Sequence, residues 1–158
     1  MAPVKIFVAT PAHGETFFSP CVQSLYKLAV ELERAKWSSS LATVSYADVA
    51  QARNVLLTYW FDRTDASHIL YVDADMGFEP QLIFDMVDFD KAVVGAIYPK
   101  RQIDLDRFAT AIAAGQSVAD SELGAHDFVV QKPSPGTIRK GFIRVDSCGT
   151  GIILLQRS

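Results

Sequence analysis

The feature of this sequence that most constrains its fold is a short apolar run that ends in two carboxylates. The segment His68-Ile69-Leu70-Tyr71-Val72 has the continuous hydrophobicity of a central strand that is covered on both faces of a sheet. Asp73-Ala74-Asp75 follows it directly. Because alternate side chains of an extended segment point to the same side, Asp73 and Asp75 are expected to converge where the strand ends. A strand with this ending can hold a divalent cation against a phosphate group.

Strand and helix patterns alternate along the chain. Short apolar segments predict strands at residues 4–9, 41–46, 68–72 and 91–97. Helical periodicity separates them, with Ser19 as the N-cap of the first helix, Pro20 at its first helical position and Asp48 as the cap of the second. Beyond residue 101 we predict a helix at residues 105–114 and strands at 128–131, 141–145 and 151–155. The alternation is typical of an α/β protein with a mostly parallel sheet and flanking helices.

The composition excludes several classes of protein. With 158 residues, 49% of them hydrophobic and 21% charged, the chain fits one domain with one core. A formal net charge of −3 argues against a nucleic-acid partner, whose phosphates need a clustered excess of Lys and Arg. No apolar run reaches the roughly 18 residues of a membrane span, and no signal peptide pattern is present, so a cytoplasmic location is expected. Cys21 and Cys148 have neither metal-ligand spacing nor the density of a disulfide scaffold.

The spacing of Asp73 and Asp75 suits Mg²⁺ or Mn²⁺, hard cations that keep coordination positions for substrate phosphates. A cation held there would neutralise a diphosphate leaving group. Aspartates after strands also serve as turn residues and helix caps, which is the alternative. Glu79 already stands near the start of the next predicted helix, so capping does not require both aspartates.

Two further segments are candidates for ligand contact. Thr10-Pro11-Ala12-His13-Gly14 follows the first predicted strand, and ligands of α/β sheets bind beyond the carboxyl ends of strands. A plain strand-to-helix connection is the alternative there. Arg53 lies near the start of the second predicted helix, where the helix dipole favours acids. It either reaches a phosphate or base site or pairs with Asp48 at the surface.

The ordered set of motifs resembles the nucleotide-sugar glycosyltransferases of the GT-A fold, in which an apolar strand ends in an Asp-x-Asp motif. The segments that carry the resemblance are Val8-Ala9-Thr10-Pro11, Gln51-Ala52-Arg53-Asn54, residues 69–76 with Pro80, residues 94–101 and Gly149-Thr150-Gly151. The resemblance implies a Rossmann-like GT-A nucleotide-diphospho-sugar transferase fold in a single domain over residues 1–158. It also implies metal-dependent transfer of a glycosyl group from a nucleotide-diphosphate sugar to an acceptor hydroxyl on an unknown glycan, lipid or protein.

The resemblance assigns roles to individual residues. Those implied in donor binding are Thr10, Pro11, Ala12, Arg53, Asn54, Asp73, Lys100, Arg101, Asp146, Gly149 and Gly151. The first three would line the nucleoside pocket, with Arg53 and Asn54 nearby. Asp75 would bind Mn²⁺ or Mg²⁺ directly, and Asp73 would contact the ribose or reach the cation through water.

The roles implied for the later residues have alternatives. Lys100 and Arg101 would meet phosphate or donor sugar, although solvated charges after a strand have the same appearance. Gly149 and Gly151 would let the backbone approach the sugar, with Asp146 contacting a hydroxyl group, or they form a tight hairpin.

The end of the chain differs from the family pattern. GT-A enzymes usually continue past the Gly-x-Gly strand with a segment that supplies an acidic catalytic base, a further metal ligand and much of the acceptor site. We therefore expect a C-terminally truncated domain, or an acceptor site and base that come from elsewhere, and no catalytic residue is assigned. The final strand is expected to present an exposed edge through which the chain could form a homo-oligomer. His13 and His126 stand alone in polar loops and receive no catalytic role.

Three other functions remain as alternatives. A non-catalytic nucleotide-sugar-binding domain that lacks its acceptor half would carry the same motifs. An aspartyl-phosphate phosphatase would place Asp-x-Asp after its first core strand, whereas two strand-helix units precede it here. A nucleotidyltransferase would need a glycine-rich loop after the first strand, and this sequence has none.

Overall fold

The computed structural model describes residues 3–133 and 138–157. In chain order the elements are β1 (Lys5–Pro11), α1 (Ser19–Arg34), β2 (Ser38–Val44), α2 (Val49–Arg63), β3 (His68–Val72), α3 (Gln81–Asp88), β4 (Val93–Gly95), β5 (Pro99–Ile103), α4 (Leu105–Ala113), α5 (Val118–Ala125), β6 (His126–Phe128), β7 (Val130–Pro133), β8 (Val145–Cys148) and β9 (Ile152–Gln156). Contacts divide the chain into two compact units, residues 1–96 with 150–158 and residues 97–149. The single domain over residues 1–158 stays a prediction.

The first unit contains a five-stranded sheet in the order β2-β1-β3-β9-β4. β1 pairs in parallel with β2 and β3, whereas β9 is antiparallel to both β3 and β4. Four strands therefore share one direction and β9 opposes them. The sheet is mixed but mostly parallel, and helices accompany it. The predicted α/β class with a mostly parallel sheet is therefore confirmed.

The core of the first unit packs α2 against β1 and β3. Buried members of this cluster are Phe7, Ala9, Leu56, Trp60, Ala66, Ile69 and Tyr71. The alternate residues Ile6 and Val8 of β1 are buried as well, as are Leu28 and Leu32 of α1. Both sides of β1 and β3 are thus covered, which explains the unbroken hydrophobicity of residues 68–72.

The prediction that the final strand is an exposed edge is wrong. β9 has hydrogen-bonded neighbours on both sides, β3 and β4, and the edges of the described sheet are β2 and β4. The physical reason lies in the sequence of β9, Ile-Ile-Leu-Leu-Gln, whose continuous apolar side chains favour a position inside the sheet. Ile152 and Leu154 are 2% and 1% exposed.

The caps of the helices agree with the sequence at one of two positions. Asp48 Oδ1 accepts hydrogen bonds from the backbone nitrogens of Ala50 at 2.7 Å and Gln51 at 3.4 Å, as predicted for the cap of α2. Ser19 is not the cap of α1, because Phe18 occupies that position and Ser19 is already helical. No helix in residues 3–133 and 138–157 is long and apolar enough to cross a membrane.

The second unit consists of two helices and two small antiparallel ladders. α4 and α5 follow each other, β5 pairs with β6, and β7 pairs with β8. α4 begins after Asp104, whose carboxylate accepts from Arg107 N at 3.0 Å. The sequence prediction missed α5 and β5, and it placed a strand at residues 141–145 where the structure has an isolated bridge between Arg139 and Phe142.

Candidate functional site

Hydrogen bonds from several segments hold the turn after β3. Asp73 N donates to Gly151 O at 2.8 Å, and Phe18 N donates to Ala74 O at 2.9 Å. Within the turn, Met76 N donates to Asp73 O at 3.0 Å. The backbone of the Asp-x-Asp turn is therefore positioned by the residue that precedes β9 and by the N-cap of α1.

α1 also packs closely against this turn. Cys21 Sγ donates to Asp73 O at 3.6 Å, and Ser24 Oγ accepts from Phe78 N at 2.8 Å. A Cβ atom on Gly77 would lie 3.1 Å from Pro20 Cβ, which is tighter than an ordinary contact. Burial, assisted by the charge of Asp73, raises the pKa of the Cys21 thiol. Cys21 is accordingly a neutral packing group.

Arg53 forms an ion pair with the first aspartate of the motif. Its Nη2 donates to Asp73 Oδ1 at 2.7 Å, and the two side chains are 21% and 30% exposed. The backbone carbonyl of Arg53 accepts a 2.8 Å hydrogen bond from the hydroxyl of Tyr71. The surface pair of Arg53 with Asp48, one of the two alternatives left by the sequence, is replaced by the pair with Asp73. Asp48 caps α2.

A cavity of about 320 Å³ opens beside the turn. Its lining comes from the carboxyl ends of β1, β2 and β3 and from the segments that follow them. The residues are Pro11, Ala12, His13, Thr16, Phe18, Tyr46, Ala47, Val49, Ala52, Asp73, Ala74 and Asp75. The structure thus brings Pro11 and Ala12 together with both aspartates of the motif, which is the location that the strand-end rule predicts.

Sequence reasoning missed Tyr46 as part of this cavity, and it included His13 only as a member of the loop after β1, without a role of its own. His13 Nδ1 lies 3.3 Å from Tyr46 O, which ties the loop after β1 to the segment after β2. His13 and Tyr46 each lie two residues beyond the end of a strand, β1 and β2 respectively, so the rule that selected Pro11 and Ala12 could also have selected them. Their side chains give the cavity an aromatic part in addition to its carboxylates.

Two predicted donor contacts lie elsewhere in the first unit. Thr10 is fully buried in β1 and does not line the cavity, and its hydroxyl has no hydrogen-bond partner among the described residues. Asn54 lines a different cavity of about 590 Å³, shared with Gln51, Thr58 and Arg63 along the exposed side of α2. The second cavity is larger, but no strand end opens into it and it contains neither aspartate of the motif.

The basic pair predicted to meet the donor belongs to the second unit. Lys100 and Arg101 lie on β5. Lys100 Nζ is 3.9 Å from Asp127 Oδ2, and Arg107 Nη2 donates to Asp127 Oδ1 at 2.6 Å. The hydrogen bond from Arg107 lowers the pKa of the Asp127 carboxyl. Within its own unit, Lys100 therefore faces a carboxylate.

The glycine segment is divided between the two units. Gly149 is packed inside the second unit, where it donates to Val129 O at 2.9 Å. A Cβ atom there would lie 2.8 Å from Val129 Cγ1 and closer still to the hydroxyl of Tyr98. Asp146 is exposed on β8, and Gly151 belongs to the first unit, where its carbonyl accepts from Asp73 N. The close packing around Gly149 gives a reason for glycine that needs no ligand.

The donor atoms at the cavity fit Mg²⁺ or Mn²⁺ and do not form a closed metal site. Asp75 and the second oxygen of Asp73 are hard ligands, and such cations commonly take one or two carboxylates plus substrate phosphates. No group of three or more His, Cys, Asp or Glu side chains is arranged for a metal in the described ranges. A cation here would need oxygens from its ligand and from water.

No model of a known protein family matches the sequence, and no curated protein matches it significantly. Among solved structures, the chain is similar to the crystal structure of A197 from STIV, with a TM-score of 0.51 and 14% sequence identity. The match covers 98% of this chain and 65% of the A197 chain, so the chain spans just under two thirds of that protein's length. At this identity the likeness supports the α/β fold alone.

Proposed function

We propose that the chain binds a nucleotide-diphosphate sugar together with Mn²⁺ or Mg²⁺ and transfers the glycosyl group to an acceptor hydroxyl, as in metal-dependent GT-A glycosyltransferases. The observation that carries the proposal is the convergence of Pro11 and Ala12 with Asp73 and Asp75 around one cavity at the carboxyl ends of parallel strands. The GT-A resemblance assigns those same residues to the nucleoside and the cation.

Different residues of the cavity would contact different parts of the ligand. Asp75 would be the direct ligand of the cation, while Asp73, already paired with Arg53, would offer its second oxygen to water or to a ribose hydroxyl. When bound, the cation would neutralise charge on the departing diphosphate. His13 and Tyr46 form the part of the cavity suited to a planar base, since aromatic rings stack on one another.

The remaining residues of the proposal belong to the GT-A resemblance. Four of these residues lie in the second unit: Lys100, Arg101, Asp146 and Gly149. The donor-sugar contacts proposed for them rest on the family pattern alone. The closed packing of Gly149 and the ion pair of Lys100 offer competing explanations for these two residues.

Binding is tested by thermal unfolding with a panel of nucleoside diphosphates, each with and without Mn²⁺. A ligand that binds only the folded state raises the melting temperature, by roughly 2–4 °C for each kcal/mol in a chain of this size. The matched variants are Asp75→Asn and Asp88→Asn, the latter at an exposed position of α3. Only the first is expected to abolish the shift. If no nucleoside diphosphate gives a shift that depends on Mn²⁺, the proposal fails.

A non-catalytic nucleotide-sugar-binding domain is the second candidate. In the described chain, the carboxylates that line the cavity are Asp73 and Asp75. The proposal already uses both of them, to bind the cation or to pair with Arg53. No carboxylate of the cavity then remains to act as a general base. Assays of donor hydrolysis and of transfer to a wide acceptor panel separate the two functions. Binding without turnover would favour this second candidate.

A further inference from the structure

The two edges of the described sheet differ in how they are protected against pairing with another chain. β4 is three residues long, and Asp90 and Lys91 stand just before it. β2 is seven residues long and contains neither a charged residue nor a proline. Short length, charge and proline are common means by which an edge strand avoids pairing with a further strand. β2 has none of these features, so its outer edge can accept another strand.

The middle of the β2 edge carries an exposed apolar side chain. Leu41 is the fourth of the seven residues of β2 and is 56% exposed. Ala42 and Val44 pack against the core that includes α2. Because side chains alternate between the faces of a strand, Leu41 lies on the opposite face of the sheet. A strand added to this edge would cover Leu41 from the side away from β1.

α2 presents a second surface above the same edge. Its buried side chains are those of Ala52, Leu56 and Trp60, and Arg53 beside them reaches Asp73 after β3. In the sheet, β3 and β2 lie on opposite sides of β1. A helix turns once in about 3.6 residues, so side chains on the other flank of the buried stripe point towards β2. These side chains, which line the cavity of about 590 Å³ along α2, are Gln51, Val55, Tyr59 and Asp62.

This cavity is apolar in its middle and charged at its two ends. Val55 and Tyr59 are 38% and 51% exposed. Asp48 lines the cavity at the N-terminal end of α2, and Asp62 and Arg63 line it at the C-terminal end. A copy of α2 turned end for end would bring its Arg63 to Asp48 and the positive end of its helix dipole to Asp62. Both contacts are favourable, so the cavity is complementary in charge to a copy of itself.

One two-fold axis can serve the strand and the helix together. β2 has seven residues and α2 has 15. With rises of about 3.3 Å per strand residue and about 1.5 Å per helix residue, each element spans roughly 23 Å. α2 returns over the sheet after a short connection at residues 45–48, so its middle, at Val55 and Leu56, lies near the level of Leu41. A rotation by half a turn about an axis at this level exchanges the two ends of both elements.

We infer that the β2 edge and the cavity along α2 together bind a second copy of this chain. β2 pairs antiparallel with β2 of the partner copy, which joins the two five-stranded sheets into one. Each Leu41 then lies beside the partner's Leu41, and each Val55 lies near the partner's Val55. Each Asp48 meets the partner's Arg63. The two Asp-x-Asp turns lie towards opposite ends of the joined sheet, and the dimer requires no ligand there.

Sedimentation equilibrium of the wild-type chain without ligand tests for the dimer. Over a wide range of concentrations we expect a reversible equilibrium between the mass of one chain and twice that mass. Hydrogen exchange gives a local measurement: the amides of β2 should be better protected in concentrated than in dilute protein, whereas those of β4 should not change. Salt should weaken the dimer, because the contacts between Asp48 and Arg63 lie at its rim.

Two pairs of variants with matched exposure locate the contact. Leu41→Lys places like charges opposite each other across the joined strands, and Val93→Lys on β4 is its control, since these residues are 56% and 59% exposed. Val55→Glu places two carboxylates near the axis. Its control is Leu57→Glu, on the flank of α2 turned away from β2, at 37% exposure against 38%.

Leu41→Lys and Val55→Glu are each expected to raise the dissociation constant of the dimer by at least about a hundredfold, because like charges brought together in an interface are strongly unfavourable. Their controls should keep the wild-type constant. Arg63→Gln removes the charge pair without adding a charge, and it should raise the constant by about tenfold and reduce its salt dependence. Arg63 is exposed at the end of α2, so this variant should fold even if another does not.

Circular dichroism establishes which variants are folded before their masses are compared. Dissociation in both Leu41→Lys and Val55→Glu, with both controls dimeric, supports the dimer; if either variant does not fold, the salt dependence of Arg63→Gln replaces it. A wild-type chain that is monomeric at every concentration overturns the inference. A dimer that persists in folded Leu41→Lys or Val55→Glu, or that is lost equally in the controls, overturns it as well.

Discussion

The hydroxyl group of Tyr71 donates a 2.8 Å hydrogen bond to the backbone carbonyl of Arg53, joining the strand that carries the Asp-x-Asp motif to the helix that carries its arginine. Burial raises the pKa of Tyr71 from 10.0 to about 12. The neutral phenol is therefore favoured in the folded state, where its proton is used in the bond to Arg53.

The first prediction concerns alkaline stability. Because the folded-state pKa of Tyr71 exceeds the unfolded value of 10.0, its contribution is fully present below pH 10 and is lost as the pH rises from 10 towards about 12. The loss amounts to about 2 kcal/mol, taken from the size of the pKa shift. Urea unfolding between pH 8 and 12 measures it.

In Tyr71→Phe this alkaline loss should be absent, and stability near neutral pH should fall by about 1 kcal/mol for the missing hydrogen bond. Tyr26→Phe is the control, because Tyr26 is 73% exposed. Equal alkaline loss in the wild type and in Tyr71→Phe would contradict the prediction.

The second prediction concerns Arg157, which follows β9 and donates hydrogen bonds to backbone carbonyls near the C-terminal end of α2. Its Nη2 donates to Trp60 O at 2.6 Å and its Nη1 to Phe61 O at 3.3 Å, while the guanidinium lies 4.7 Å from the centre of the Trp60 ring. Cations near a helix C-terminus and over an aromatic ring are both favourable. Arg157→Ala is expected to lower the free energy of unfolding by about 1–2 kcal/mol.

Arg34→Ala provides the comparison for Arg157. Arg34 also stands at the end of a helix, but its exposed side chain pairs only with Glu31 among the contacts of the described chain. Exposed pairs of this kind contribute about 0–1 kcal/mol. Chemical denaturation followed by circular dichroism should rank Arg157→Ala clearly below Arg34→Ala in stability, and equal values would remove the special role of Arg157.

The third prediction compares two glycines of the second unit. Gly149 has no room for a side chain beside Val129 and Tyr98, whereas a Cβ atom on Gly124 of α5 would meet no other group within 4 Å. Gly149→Ala is expected to destabilise the protein by about 2 kcal/mol through overpacking. Gly124→Ala should stabilise it by about 0.5–1 kcal/mol, because alanine favours the helix. A Gly149→Ala variant as stable as the wild type would show that the packing at Gly149 is not tight, and a destabilised Gly124→Ala variant would contradict the open space at that position.

Local sequence signals predicted the elements that the fold buries most completely. The bounds of β3, at His68–Val72, match the prediction because continuous hydrophobicity and the following aspartates mark both ends. Asp48 similarly marks the start of α2 through its own side-chain bonds. The predicted strand at residues 91–97 is shorter, at Val93–Gly95, where pairing with β9 sets its length.

Long-range pairing explains what the sequence did not predict. The position of β9 between β3 and β4 depends on strands far away along the chain, although its apolar sequence is that of an interior strand. α5 was missed because Ser117 caps a segment with few regularly spaced apolar residues. The strand-end rule located Pro11, Ala12 and the two aspartates. For Arg53 the sequence left two alternatives, a phosphate or base site and a surface pair with Asp48. The structure instead places its Nη2 2.7 Å from Asp73 Oδ1.

The last prediction tests whether the nucleotide binds in the cavity of the Asp-x-Asp turn or in the larger cavity along α2. Ala47 is exposed and lines the cavity of the Asp-x-Asp turn, while Ala50 is exposed and lines the cavity along α2. Ala47→Leu is expected to lower the affinity for the bound nucleoside diphosphate by about tenfold or more, since overfilling a packed space costs about 1–3 kcal/mol.

Ala50→Leu should leave that affinity unchanged. Because both alanines are exposed, neither variant is expected to shift the melting temperature of the free protein by more than about 2 °C. Calorimetric titration with the nucleoside diphosphate at saturating Mn²⁺ measures the two affinities, and free Mn²⁺ measured without nucleotide should be the same for both variants. A loss of affinity in Ala50→Leu alone would move the nucleotide to the cavity along α2, away from Asp73 and Asp75.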